Sequence, residues 1–122
     1  MSSVSIQAVS RVFETATGQL TQALQPVAFE VRDNDFVTIL GPSGCGKSTL
    51  LRIVAGLDHA TSGRVLLDGV PVEGPGADRG MVFQSYTLFP WLTIEQNNRF
   101  GLRERGIAEA QQKERAAYFI AK

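Results

Sequence analysis

The sequence predicts an α/β fold in which a glycine-rich loop joins a buried strand to a helix. Residues 36–40 (FVTIL) form an apolar, β-branched run that is suited to a buried strand. Residues 49–55 have the composition of a helix that ends at Gly56. Between them, residues 41–49 (GPSGCGKST) fill the pattern G-x-x-x-x-G-K-[ST] without a gap. Strand, loop and helix stand in the order that a phosphate-binding loop requires.

The residue types of this loop suit a polyphosphate. Gly41, Gly44 and Gly46 allow backbone N–H groups to turn inward, in conformations that a β-carbon would forbid. Lys47 offers a positive charge to the β- and γ-phosphates, and the Ser48 hydroxyl is placed to ligate a bridging Mg²⁺. The helix N-terminus adds unpaired N–H groups and a partial positive charge. The other predicted contacts of the loop are Pro42, Ser43, Cys45 and Thr49.

Composition bounds the class of protein. With 122 residues, 43% of them hydrophobic and 20% charged, the chain is expected to form one ordinary globular domain or less. Twelve basic and twelve acidic residues balance, so neither a nucleic-acid groove nor a polybasic membrane anchor is predicted. Cys45 is the single cysteine, which we interpret as a loop spacer rather than a redox group. No signal peptide or membrane-spanning stretch is recognised, which favours a cytoplasmic setting.

Periodic patterns predict the remaining elements. Further strands are predicted at residues 4–13, 27–31, 65–67 and 80–83. Asp68 and Gly69 are predicted to close a hairpin after the third of these. Thr93 begins a helix, because residues 93–96 fit a capping box, and Gly101 is predicted to end it. A last helix is predicted over residues 108–121.

Two segments downstream of the phosphate loop also match a known family pattern. Residues 63–69 read GRVLLDG, and residues 79–93 read RGMVFQSYTLFPWLT. Together with the phosphate loop they look like the nucleotide-binding subunit of an ABC transporter, over nearly the whole chain. The runs EGPGADRG at residues 73–80 and LFPW at residues 88–91 most resemble importer ATPases of the nitrate, sulfonate and taurine group.

The resemblance implies a fold and a function. The fold is a P-loop NTPase-like core, as in an ABC nucleotide-binding domain, with an antiparallel β subdomain and the start of a helical subdomain. Residues 1–86 would form the β subdomain and phosphate-loop core, and residues 87–122 would begin the helical subdomain. The implied ligands are ATP and Mg²⁺. The implied function is ATP binding within an importer ATPase that couples ATP hydrolysis to uptake of a small solute such as nitrate, a sulfonate or taurine.

The resemblance assigns the family's site residues to matching positions of this sequence. Lys47 and Ser48 match phosphate and metal contacts, and Gln84 matches the glutamine that senses the γ-phosphate and the metal. Lys47 and Gln84 are therefore the implied catalytic residues, and Ser48 and Gln84 the implied metal ligands. Phe13 falls where the family has an aromatic residue that stacks on adenine. The alternatives are a solvated strand-end residue for Gln84 and a core residue for Phe13.

The resemblance also implies partners. The segment from Tyr86 to Thr93 matches the region near which a coupling helix of the membrane permease docks. Phe89, Pro90 and Trp91 would form an apolar docking cluster, although packing onto the chain's own core is an equal alternative. The family works as a pair of ATPase subunits beneath the permease. The resemblance implies a homodimer of the full-length parent protein at the cytoplasmic face of the membrane. It implies no nucleic-acid partner.

Two family motifs do not occur in these residues. They are the acidic strand with its catalytic glutamate and the Leu-Ser-Gly-Gly-Gln signature; the run VLLD at residues 65–68 fits a hairpin better. We therefore expect a truncated N-terminal portion that binds ATP, and a catalytically inactive nucleotide-binding fragment is the alternative function. A small P-loop kinase with Arg103, Arg105 and Arg115 in a lid is a weaker alternative, because it leaves the region of Gln84 unexplained.

Overall fold

The chain divides into two compact units. The computed structural model describes residues 2–85 and 87–122. The first unit covers residues 1–76 and the second residues 77–122. The elements of the first unit are β1 (Val4–Glu14), β2 (Leu20–Val31), α1 (Lys47–Ala55), β3 (Ser62–Leu67) and β4 (Val70–Pro71). The elements of the second unit are α2 (Ile94–Glu104) and α3 (Glu109–Ile120).

The first unit contains an antiparallel sheet with the strand order β2-β1-β3-β4. Val4 of β1 pairs with Val31 on one side and with Leu67 on the other. Asp68 and Gly69 both have positive φ and close the β3–β4 hairpin, as their sequence predicts. The strands predicted at residues 4–13 and 65–67 are confirmed. β2 begins earlier than the predicted residue 27, because its first half pairs with the second half of β1.

A small apolar core joins the sheet to α1. Leu50 and Ile53 lie one helical turn apart and are 3% and 4% exposed. The other members of the core are Ile6, Val9, Leu24 and Val65. α1 ends where predicted, since the Gly56 N–H donates to the carbonyls of Arg52 and Ile53. The helix that follows the phosphate loop is therefore anchored to the antiparallel sheet through two side chains.

The two strands predicted at residues 36–40 and 80–83 do not form. Both segments lack regular secondary structure, and Phe36, Leu40 and Val82 are 96%, 87% and 98% exposed. A strand of a parallel sheet needs neighbouring strands to satisfy its backbone and layers to cover its faces. Within residues 2–85 and 87–122, no strand pairs with either segment. Their apolar patterns are consistent with strands, but the described residues supply no pairing partner.

The helices of the second unit follow the sequence prediction except at one end. The capping box at Thr93 is formed, with reciprocal bonds between Thr93 and Gln96. The prediction that Gly101 ends α2 is wrong: the helix continues to Glu104. Gly106 has a φ of 71°, whereas Gly101 is not among the glycines with positive φ. The chain therefore leaves the helical conformation at Gly106.

Polar contacts join α2 to α3. Arg99 forms ion pairs with Glu95 at 3.2 Å and with Glu109 at 3.6 Å. Its guanidinium also donates to the side-chain carbonyl of Gln112 at 3.3 Å. Gln112 is only 6% exposed, and its amide donates to the carbonyl of Ile107. A buried amide that is satisfied on both sides fixes the hairpin of the two helices.

The core of the first unit can be tested with two adjacent leucines. We expect Leu50→Ala to lower the free energy of unfolding by about 2–5 kcal/mol, because it removes a buried core side chain. Leu51 lies in the same helix but is 49% exposed, so Leu51→Ala should cost far less. Urea unfolding followed by far-UV circular dichroism measures both variants. Equal losses for the two would contradict the described packing of α1.

Candidate functional site

The loop at residues 41–46 leads directly into the N-terminus of α1. Gly46 is the N-cap residue, with a φ of 98°, and no side chain caps the helix. The Cys45 N–H donates to the carbonyl of Pro42, and the Leu50 N–H to that of Gly46. The first turn of the helix holds no acidic residue. Its leading N–H groups therefore lack a side-chain acceptor within the helix cap, which is the local condition for binding an anion.

Lys47 lies across this loop. Its Nζ donates to the carbonyl of Pro42 at 3.0 Å and also to the carbonyl of Gly41. Among the described residues, no carboxylate forms an ion pair with Lys47. The ammonium group is held by neutral acceptors alone. A phosphate can replace these carbonyls with a stronger, charge-assisted bond.

The loop rests on the backbone of β2. A β-carbon added to Gly46 would lie 2.6 Å from the carbonyl oxygen of Ala23 and 3.0 Å from Leu24 Cδ1. A distance of 2.6 Å is shorter than a van der Waals contact, so only glycine fits this position. The close approach fixes the loop against a strand that is distant in sequence.

A groove of about 420 Å³ lies beside the loop. Gly44 and Cys45 line it on one side, and residues 22–27 of β2 line it on the other. Sequence reasoning missed this contribution of β2, including the polar side chains of Gln22 and Gln25. No local signal in the sequence marks these residues, because the pairing of β2 with β1 is what brings them to the loop.

Phe13 of β1 is the residue predicted to stack on a base. It pairs with Thr21 in β2, next to the position of Gln22, which lines the groove. Phe13 is 40% exposed and does not belong to the apolar core. The guanidinium of Arg11 lies 4.3 Å from the centroid of its ring. The alternative that Phe13 is a core residue is not supported by this placement, and its role in stacking on a base stays a prediction.

The hydroxyl residues of the motif lie in the first turn of α1. Ser48 is exposed and Thr49 is half-buried. Pro42 and Ser43 are exposed in the loop. The structure thus brings residues 41–49 together as one loop and helix start, and the contacts of each residue with phosphate or metal stay predictions.

Gln84 belongs to the second unit. It is exposed and follows residues 80–83 on a segment without regular secondary structure. Its predicted role in sensing phosphate and metal is not tested by the geometry of the first unit.

The aromatic segment of the second unit is partly folded back and partly exposed. Phe89 packs against Phe100, with ring centroids 4.6 Å apart, and against Trp91 at 5.4 Å. Trp91 is nevertheless 75% exposed. The side chain of Asn97 holds the segment through bonds to the N–H and carbonyl of Phe89 and to two further carbonyls. Tyr86, the first residue of the predicted docking segment, lies outside the described residues.

Comparison with known proteins identifies the family. The family model described as ABC transporter matches residues 24–122. The chain belongs to this family. A solved structure of the ATP-binding cassette MJ0796, a dimer in a post-hydrolysis state with bound ADP and phosphate, is similar with a TM-score of 0.81 and 29% identity. That match covers 94% of this chain and 54% of the other, and it confirms the predicted ABC ATPase fold.

The curated relatives are ABC ATP-binding proteins. An uncharacterised ABC transporter ATP-binding protein of Methanocaldococcus jannaschii is 52% identical over 94% of this chain. The nitrate import ATP-binding protein of Synechocystis is 47% identical over 92%, and the taurine import ATP-binding protein of Burkholderia pseudomallei is 50% identical over 95%. The chain spans 43%, 42% and 44% of these three relatives. The predicted resemblance to the nitrate and taurine importer ATPases is confirmed.

Within residues 2–85 and 87–122, none of the helices combines the length and the apolar character that are needed to cross a bilayer.

The fit of Gly46 against β2 can be tested with a second glycine of the loop. Gly44 and Gly46 have φ values of 81° and 98°, so Ala at either position is expected to cost about 1–3 kcal/mol of backbone strain. Nothing lies within 4 Å of a β-carbon at Gly44, whereas one at Gly46 meets the Ala23 carbonyl. Gly46→Ala should therefore lower the free energy of unfolding by about 1–3 kcal/mol more than Gly44→Ala. Chemical denaturation measures this difference, and equal effects would contradict the described contact.

Proposed function

We propose that this chain binds ATP through residues 41–49, as the phosphate-binding part of an ABC importer ATPase. The observation that supports this function best is the start of α1, which no side chain caps, with Lys47 held over the loop by the carbonyls of Gly41 and Pro42. A triphosphate would accept hydrogen bonds from the loop N–H groups and from Lys47. The groove along residues 22–27 gives space for the rest of the nucleotide, and Phe13 offers an aromatic surface for its base.

The residues present also suit Mg²⁺. Ser48 presents an exposed hydroxyl in the first turn of α1, and hydroxyl and amide oxygens are hard ligands of the type that Mg²⁺ accepts beside phosphates. In this proposal Ser48 contacts the metal and Lys47 serves the reaction, and the metal and catalytic roles of Gln84 stay predictions from the resemblance. The metal, when bound, neutralises charge on the phosphates. The proposal keeps the predicted division into a β subdomain with phosphate-loop core, residues 1–86, and the start of a helical subdomain, residues 87–122. The compact units of the structure divide ten residues earlier, after residue 76.

The proposed partners follow from the relatives. The whole protein would act as a pair of ATPase subunits beneath a membrane permease, at the cytoplasmic face of the membrane. Its cargo would be a small solute, with nitrate, sulfonates and taurine as the first candidates, because proteins for nitrate and taurine import are among the relatives. The exposed Trp91, beside the anchored Phe89, supports the segment up to Thr93 as the permease contact.

The phosphate contact is tested by removing Lys47. Lys47→Ala is expected to weaken binding of ATP about 10- to 100-fold, because it removes charge-assisted hydrogen bonds to phosphate. Lys113→Ala is the matched control, since Lys113 forms an exposed ion pair with Glu109 in α3. Isothermal titration calorimetry with ATP and Mg²⁺ measures both. Unchanged ATP affinity in Lys47→Ala would overturn the proposed site.

The same variants separate binding from hydrolysis. Release of phosphate from ATP by the 122-residue chain, abolished in Lys47→Ala, would favour an active ATPase. ATP binding without Lys47-dependent release would favour the alternative, a catalytically inactive nucleotide-binding fragment.

Cys45 offers a labelling test of the same loop. Its thiol is exposed and lies near Gly41, since a β-carbon on Gly41 would meet Sγ at 2.7 Å. We expect ATP with Mg²⁺ to slow labelling of Cys45 by a maleimide at least severalfold, because a phosphate on the loop crowds the thiol. Labelling is followed by mass spectrometry. Cys45→Ser should still bind ATP, and identical labelling rates with and without ATP would contradict the proposed location.

A further inference from the structure

The aromatic ring of Phe13 is covered on one side by an anchored arginine. The guanidinium carbon of Arg11 lies 4.3 Å from the centroid of the ring. Arg11 Nη2 in turn lies 3.2 Å from Asp58 Oδ1, just beyond the end of α1. The side chains of Arg11 and Asp58 are 25% and 21% exposed, so this ion pair is largely shielded from water. The three side chains form a continuous series of contacts from the end of α1 to the ring.

We propose that Arg11 is a positioning residue for a nucleobase. Its guanidinium, anchored by Asp58, holds the Phe13 ring from one side and leaves the opposite side to stack on a purine. This inference rests on the proposed function, because it requires a nucleotide whose phosphates lie on residues 41–49.

A fixed ring binds a base better than a mobile one. Phe13 is 40% exposed, so packing against the core does not restrain it fully. Attraction between a guanidinium and an aromatic face supplies the missing restraint. A ring that is already oriented loses less conformational entropy when the base binds.

The hydrogen bonding of Arg11 indicates that its planar guanidinium serves the contact with the Phe13 ring. Arg11 Nε is buried and has no hydrogen-bond partner among the described residues. An unpaired buried donor is costly. A lysine could form the ion pair with Asp58 without that cost, but its ammonium cannot stack as a plane on an aromatic ring. The arginine is therefore better explained by its contact with Phe13 than by the ion pair alone.

The location suits the base end of a nucleotide. The groove starts beside Gly44 and Cys45 of the phosphate loop and includes Gln22 of β2. Phe13 pairs with Thr21, the neighbour of Gln22. A nucleotide with its phosphates at the loop can extend along β2 toward the ring.

The experiment compares ATP with inorganic tripolyphosphate, which has no base. Both are titrated with Mg²⁺ into the 122-residue chain by calorimetry. We expect Arg11→Ala to weaken ATP binding about threefold to tenfold and to leave tripolyphosphate binding unchanged. Asp58→Asn should act in the same direction, and Arg11→Lys should recover only part of the ATP affinity. Arg32→Ala is the control, because Arg32 forms an exposed ion pair with Asp35 in the same unit.

The possible results are distinct. A selective loss of ATP affinity in Arg11→Ala supports the proposal. An equal loss for ATP and tripolyphosphate would show a purely structural role and overturn it, and tighter ATP binding would show that Arg11 blocks the face that the base needs. If Arg11→Ala does not fold, Arg11→Met, which keeps the apolar stem, must show the same selectivity. A wild-type chain that binds neither ligand overturns the proposed function, and this inference with it.

Discussion

The close approach of Gly46 to the backbone of β2 is the contact on which the first unit depends. At this point the phosphate loop meets Ala23 and Leu24 with no space for a β-carbon. The side chain of Leu24 belongs to the same apolar core as Leu50 and Ile53 of α1. The core and the loop are therefore held by one short stretch of β2. A shift of β2 along β1 would displace both the backbone that the loop contacts and the core side chain of β2 that packs with α1.

This coupling explains which parts of the fold were predictable from sequence. The hairpin at Asp68 and Gly69, the end of α1 at Gly56 and the capping box at Thr93 are set by residues that are close in sequence, and each forms as predicted. The extent of β2 was not predictable in the same way. Its first half, residues 20–25 (LTQALQ), lacks the alternation of apolar and polar residues that marks a strand, and it becomes a strand because β1 lies beside it. The groove that β2 lines was missed for the same reason.

The incorrect predictions have equally specific causes. Residues 36–40 have the apolar run of a buried strand, yet a strand exists only where a neighbour accepts and donates its backbone hydrogen bonds, and the described residues offer none. Gly101 was read as a helix end from its residue type alone. A glycine ends a helix when the chain turns left-handed there, and that turn occurs at Gly106. Local composition predicts the elements that are possible, whereas tertiary pairing decides which of them form.

α1 relates the two ends of the candidate site to each other. Its N-terminus presents Lys47 and the loop N–H groups, and Asp58, just beyond its C-terminus, holds Arg11 against Phe13. A helix is stiff along its axis, and its core residues Leu50 and Ile53 fix it to the sheet from which Phe13 projects. The spacing between a phosphate cradle and an aromatic ring is then set by one element rather than by two independent loops. In the proposed function, such preorganisation limits the motion that a nucleotide must restrain on binding, and it arises from contacts that the phosphate-loop motif alone does not reveal.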